Sequence, residues 1–155
     1  MNDREYTARV TAMERRLYRI AHAMLWCDAD CADAVQEAVF KGWMKRGGLR
    51  EERYFETWLI RILINECKTL LRRQKARHLP LEESIPAAGE IDLHLRQSLQ
   101  NLPEKYRMPL LLHHLEGYNL KEIAEMLGIT AGLAKSRLHQ ARQLLRKALD
   151  GGEEA

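Results

Sequence analysis

The 155-residue chain carries 25 Lys and Arg against 22 Asp and Glu, a formal net charge of +3, and 46% of its residues are hydrophobic. That length and apolar content suit one modest buried core or two small ones and exclude a disordered chain. No run is long enough to span a membrane, and the charged N-terminus MNDREYTARV excludes a signal peptide, so the expected location is the cytoplasm without membrane insertion.

Only 4 prolines and 9 glycines interrupt the chain, and the stretches between them repeat with helical period, which predicts an all-α fold. Residues 4 to 26 read as a first helix, with Val10, Met13, Leu17, Ile20 and Met24 three or four apart. A second helix is expected after Asp28 to Asp30. Its inward face would hold Ala34, Val35, Ala38, Val39, Gly42 and Trp43, and Gly47-Gly48 would end it. The longest periodic element is expected from Phe55 to about Arg77, with Leu59, Ile62, Leu63, Cys67, Leu70 and Leu71 facing a core.

From Leu79 to about His94 the periodicity fails, prolines and Gly89 appear, and Glu82, Glu83, Glu90 and Asp92 accumulate. This predicts a flexible acidic linker over residues 78–94, between an N-terminal helical bundle (1–77) and a C-terminal helical domain (95–150). In the latter, a helix through Leu99 breaks at Leu102-Pro103, and a second runs from Glu104 to Leu115. After a turn at Glu116-Gly117, Asn119 and Glu122 have the spacing of a capping box. Gly128-Ile129-Thr130 forms the next turn, with Thr130 capping a helix that runs to Leu149.

The charge is unevenly placed. Residues 65–78 hold five bases and one acid, and residues 130–150 repeat that balance. In the second segment Ile123, Leu127, Ile129, Ala134 and Leu138 can form the small core of a helix-turn-helix, with Ala124 at the crossing and Gly128 supplying a positive φ. Ala134, Leu138, Ala141, Leu145 and Ala148 would point inward, while Lys135, His139, Arg142 and Arg146 form an outward stripe that suits phosphates or base edges. The competing reading is a solvated basic face on an ordinary helical hairpin. With four or five phosphate contacts, log affinity would fall against log salt with a slope of about −4. Such weak binding implies a dimer or a passenger on a larger DNA-binding machine.

In the N-terminal half, Arg61, Asn65, Lys68, Arg72 and Lys75 recur at four, three, four and three, one stripe down a helix. It begins beside Tyr54, Phe55 and Trp58. Cations that track a backbone next to aromatic faces that accept bases suit unpaired DNA. The competing reading is that Phe55 and Trp58 simply pack the core, and for Trp58 alone that is the stronger reading.

Other signals carry less. His22, Cys27 and Cys31 include good zinc ligands, but the spacing is not that of a finger and a fourth ligand is missing, so reduced and partly buried thiols are expected. His113-His114 reads as a helix surface pair, without a nucleophile or orienting carboxylate in a recognisable motif. No glycine-rich phosphate loop occurs, and the expectation is a non-enzymatic protein without cofactor or metal.

The segments DAVQEAVFKGW (Asp33 to Trp43), FETWLIRI (Phe55 to Ile62), LPEKYR (Leu102 to Arg107) and EGYNLKEIAEMLGITAGLAKSRLHQAR (Glu116 to Arg142) resemble, in order, those of extracytoplasmic-function (ECF) sigma factors of bacterial RNA polymerase. The resemblance covers nearly the whole chain. It implies that Asp33, Gln36, Glu37 and Lys41 grip the clamp helices of the polymerase's largest subunit. It implies too that the loop from Leu49 to Phe55 receives a base flipped from the minus-ten element, with Asn65, Lys68 and Arg72 on the DNA side. Lys135, Ser136, Arg137, His139 and Arg142 would meet the minus-thirty-five element in the major groove, and the linker would run toward the RNA exit path. An anti-sigma factor is the further implied partner.

The chain departs from the family's pattern before the Lys-Ser-Arg of the recognition helix, where Gly132-Leu133-Ala134 replaces a frequent Gly-Thr-Val, and at Gln140, where relatives are often basic. Two rival functions remain: a stand-alone helix-turn-helix regulator with a sensing or dimerising N-terminal half, and a helical adaptor that binds only proteins.

Overall fold

A computed structural model of the chain describes residues 1–76 and 93–153. Helices α1 (Asp3–Leu25), α2 (Asp28–Lys45), α3 (Phe55–Ala76), α4 (Leu93–Asn101), α5 (Glu104–His114), α6 (Leu120–Leu127) and α7 (Ala131–Glu153) follow in order, with short 3-10 turns at Arg46–Gly48 and Glu52–Tyr54. Among the described residues there is no strand, so the chain is all-α. Of the segment expected as a linker, 78–92 lies outside the described residues, as does Arg77, while Leu93 and His94 open α4. The chain divides into two compact units, Met1–Pro86 with Glu125–Gly128, and Ala87–Ala124 with Ile129–Ala155.

In the first unit α1 starts on a capping box: the Glu5 amide donates to Asn2 Oδ1 (2.9 Å) and the Asn2 amide donates to Glu5 Oε2 (3.2 Å). It ends at Trp26, whose left-handed φ of 58° turns the chain sharply into α2, and Asp28 to Asp30, expected to precede that helix, form its first turn. Leu17, Met24 and Leu25 of α1 and Leu59, Ile60, Leu63 and Ile64 of α3 are fully buried. Each such side chain contributes about 1.5–3 kcal/mol by leaving water.

Gly42 governs how closely the three helices approach. A Cβ there would lie 2.6 Å from Tyr6 Oη and 3.0 Å from Leu59 Cδ1. Tyr6 is buried, its hydroxyl donates to the Val39 carbonyl, and burial raises its pKa to about 12. Trp43, expected inward, is instead at the edge. Its indole N–H donates to Asp3 Oδ1 (3.0 Å) and the Arg46 guanidinium covers its ring at 4.7 Å. A residue one step past Gly42 turns about 100° from the contact, which carries it out of the core.

At the α1–α2 corner the His22 Nδ1 lies 3.3 Å from Cys31 Sγ, and its Nε2 lies 3.4 Å from Asp28 Oδ1. Cys31 and Cys67 are buried and Cys27 half-buried, none of them in a disulfide, and burial pushes the Cys31 thiol up to about 12. Burial lowers the His22 pKa and Asp28 offsets part of that.

The second unit packs α4 and α5 on α7. Leu99, Leu102, Leu110, Leu138 and Ala141 form its core, ringed by Leu95, Tyr106, Leu111, Leu120, Leu144 and Leu145. Buried Arg107 donates to the Leu102 carbonyl (2.8 Å), so the Leu102-Pro103 break is tied to α5.

Two outcomes follow. Gly42→Ala improves helix propensity by up to about 1 kcal/mol but should still lower stability by about 1–3 kcal/mol, because the added carbon displaces Tyr6 or Leu59. All three tryptophans lie in the first unit, so urea unfolding followed by their fluorescence reads it, and an unchanged midpoint would contradict the packing. The lowered His22 pKa means that the unfolded chain takes up the proton first as pH falls. Its contribution is therefore present above about pH 6.5 and lost on acidification. His22→Asn should flatten the fall in stability between about pH 7.5 and about pH 5.5 in the same assay.

Candidate nucleic-acid interface

The C-terminal site rests on two capped helices. The Glu122 amide donates to Asn119 Oδ1 (2.9 Å) and the Asn119 amide to Glu122 Oε1 (3.0 Å), which starts α6. Gly128 adopts φ +68°, and the Leu133 amide donates to Thr130 Oγ1 (3.1 Å), which starts α7. Ile123, Ala124, Ala134 and Leu138 are buried, as a helix-turn-helix requires.

Ala148, expected inward, is exposed, and the reason is length: α7 runs on to Glu153, while α5 has already ended at His114. Lys135, Ser136 and His139 point to solvent in the first half of α7, whereas Arg137 is half-buried. Arg142 and Arg146 are exposed at a different place, on the rim of an open apolar groove of about 460 Å3 lined by Leu95, Leu99, Leu110, Leu111 and Leu145. The Arg142 Nε donates to His114 Nε2 (3.1 Å). That bond needs a neutral acceptor, and burial, with the charge of Arg142 added, lowers the His114 pKa. His113 instead reaches the Tyr118 carbonyl from Nδ1 (2.9 Å) across the Gly117 turn. The histidine pair is thus divided between two structural contacts.

In the first unit, Arg61, Asn65 and Arg72 of α3 are exposed and Lys68 is half-buried, one stripe down the helix. Tyr54 is 41% exposed, with the Arg53 guanidinium 4.7 Å from its ring centre. Arg9 holds the preceding turn, donating to the Glu52 carbonyl (3.0 Å) and carboxylate (3.1 Å), and Arg16 pairs with Glu56 (3.3 Å). Exposed pairs of this kind are worth under about 1 kcal/mol each, enough to bias the loop.

Of the two readings of the aromatic cluster, Phe55 follows core packing. It is only 2% exposed, edge-on to Tyr6 (5.8 Å, 83°) and tilted against half-buried Trp58 (5.9 Å, 41°). As the first residue of α3, its side chain swings under the helix onto α1. Its ring is covered by Tyr6, Trp58 and the Arg9 guanidinium (5.5 Å), whereas Tyr54 remains exposed.

On α2, Asp33, Gln36 and Glu37 are exposed, and Lys41 forms an ion pair with Glu66 of α3. At 100° per residue the same outward arc contains Phe40 and Met44, which are 57% and 62% exposed. Sequence reasoning missed both. The signal was there, since positions 33, 37, 40 and 44 recur at helical spacing on the side opposite Ala34, Ala38 and Gly42.

Among the described residues no three His, Cys, Asp or Glu side chains are placed to hold a metal, and no helix is long and apolar enough to cross a membrane.

Known proteins match this arrangement. The family model for sigma-70 region 2 matches residues 9–77, and that for sigma-70 region 4 matches residues 93–145. The chain is 33% identical over 141 residues to the ECF RNA polymerase sigma factor SigM of Mycobacterium tuberculosis, covering 87% of this chain and 72% of that protein. It is 28% identical over 155 residues to the ECF RNA polymerase sigma factor SigW of Bacillus subtilis, covering 86% and 83%. Among solved structures, the fold matches the sigma factor RpoE in complex with the anti-sigma factor NepR from Bartonella quintana, with a TM-score of 0.82 at 23% identity over 94% of this chain and 97% of that one. It also matches CnrH in complex with the cytosolic domain of CnrY, with a TM-score of 0.76 at 25% identity over 97% and 90%. The chain therefore belongs to the ECF sigma factors, which direct transcription initiation by RNA polymerase.

Proposed function

We propose that this sigma factor uses residues 1–77 to bind core polymerase and open the minus-ten element, and residues 95–150 to bind the minus-thirty-five element, with 78–94 joining them. It works in the cytoplasm and catalyses nothing itself. The observation that carries this reading is the pair of outward cationic helix faces, on α3 beside exposed Tyr54 and on the first half of α7. A stand-alone regulator needs only the second. In this reading Tyr54 and the turn before it receive the unstacked base, while Arg61, Asn65, Lys68 and Arg72 follow the single strand. Phe55 and Trp58 hold that turn from beneath. The first half of α7, with Lys135, Ser136, Arg137 and His139, enters the duplex groove, where Lys135 and His139 meet phosphates on its wall, and Arg142 and Arg146 meet the flanking backbone.

Asp33, Gln36, Glu37 and Lys41 form the polar part of the polymerase-binding face, with Phe40 and Met44 as its apolar centre. Exposed aromatic and methionine side chains within a polar rim are typical anchors of protein interfaces. Because the two structural neighbours are held by NepR and CnrY, an anti-sigma partner is proposed for this chain as well.

Run-off transcription with purified core polymerase tests the whole reading, since absence of promoter-specific starts on its own genome would overturn it. Phe40→Asp should lower affinity for core polymerase at least about tenfold and leave helicity unchanged, the side chain being exposed. Affinity equal to wild type would remove α2 from the interface.

The two DNA surfaces separate kinetically. Lys135→Ala should weaken closed-complex formation and reduce the salt slope by about 0.9. Tyr54→Ala should leave the closed complex intact and slow opening, followed by permanganate reactivity of unpaired thymines. Equal effects of both changes on both steps would contradict the assignment. Phe55→Ala is unsuitable for this purpose, because deleting a buried ring costs about 3–5 kcal/mol of stability.

A further inference from the structure

The outer surface of α7 carries two stripes of different chemistry. Lys135, Arg142 and Arg146 make the cationic one, with His139 between Lys135 and the two arginines, which lie further along at the groove rim. Leu133, Ser136 and Gln140 follow one another at three and four residues, make the other, and carry no charge. At 100° per residue the centre of the second stripe lies about 120° around the helix from that of the first, with Ser136 and His139, about 60° apart, where the two come nearest.

Leu133 stands out among the leucines of this helix. Leu138 is buried and Leu144, Leu145 and Leu149 are half-buried, whereas Leu133 is 40% exposed. Its position is well determined, because Thr130 caps its amide and the first turn of α7 is thereby set. The Gln140 side-chain amide is exposed and makes no hydrogen bond among the described residues, so both its donor and its acceptor are available. In a helix-turn-helix the first turns of the second helix face base edges. There an apolar side chain recognises the thymine methyl, and glutamine recognises adenine with two bonds, its N–H donating to N7 and its oxygen accepting from N6.

We propose that Leu133 and Gln140 are the residues that set sequence preference in the upstream promoter element, Leu133 by packing on the C5-methyl of a thymine and Gln140 by pairing with an adenine edge. This rests on the reading of α7 as the promoter-reading helix. Seven positions apart, the two residues are separated by about 10 Å along the helix axis. At about 3.4 Å per base pair this corresponds to bases about three pairs apart. Ser136 lies between them and bonds to either base type, so it adds little discrimination. The cationic stripe holds phosphates and fixes the register without choosing the sequence.

The test uses holoenzyme assembled from the purified chain and core polymerase, with a promoter duplex pool randomised across the upstream element. Wild-type holoenzyme should select a thymine and an adenine at that separation. Leu133→Ala should lose the preference at the thymine only, and Gln140→Ala should lose roughly tenfold at the adenine only. Replacing the selected thymine by deoxyuridine, which lacks the methyl group, should weaken wild-type binding severalfold and leave Leu133→Ala unaffected. A wild-type preference that neither substitution alters, or a loss spread evenly over every position, overturns the inference and leaves promoter reading by α7 intact. A wild-type holoenzyme that selects no upstream sequence removes that role of α7, and the inference with it.

Discussion

The Tyr6 hydroxyl donates to the Val39 carbonyl where Gly42 lets α2 come against α1 and α3, and the N-terminal unit is organised around that approach. With no Cβ at position 42, the Tyr6 oxygen and the Leu59 methyl occupy the space a larger residue would need. Tyr6 in turn receives the edge of Phe55, which begins α3. One close contact thus sets where α3 starts and how it is rotated. Because side chains on a helix advance about 100° per residue, that rotation also decides which ones meet solvent.

The consequences reach both outer faces of the unit. With Leu59, Ile60, Leu63 and Ile64 buried, Arg61, Asn65 and Arg72 have only the outside left. With Ala34, Ala38 and Gly42 turned inward, Phe40 and Met44 are left in water beside Asp33, Gln36 and Glu37. Leaving two large apolar side chains exposed forgoes burial energy, and a surface that meets a protein partner recovers it on binding.

In the C-terminal helices local chemistry does more of the positioning. Two side-chain caps, Asn119 and Thr130, start α6 and α7, and Gly128 supplies the left-handed turn between them. Those bonds each span only a few residues, so they set where α6 and α7 begin without help from distant parts of the chain. Packing of Leu138 and Ala141 on α4 and α5 then chooses its orientation, and the cationic and uncharged stripes become separate surfaces. Arg142, drawn toward His114, shows how a stripe that is continuous in sequence is divided by its neighbours.

Local chemistry made much of this legible in the sequence. The capping box at Asn119 and Glu122, the Thr130 cap, the Gly128 turn and the three-and-four spacing of apolar residues each act within a few positions, so they could be read in order along the chain. The ordered motifs likewise carried the family. Tertiary contacts alone decided that Phe55 is core while Tyr54 is surface, that Trp43 sits at the edge, that Ala148 outruns its partner helix, and that Phe40, Met44 and Leu133 are exposed. Helical period says which residues share a face. Only the packing of other elements against that face determines whether water reaches it.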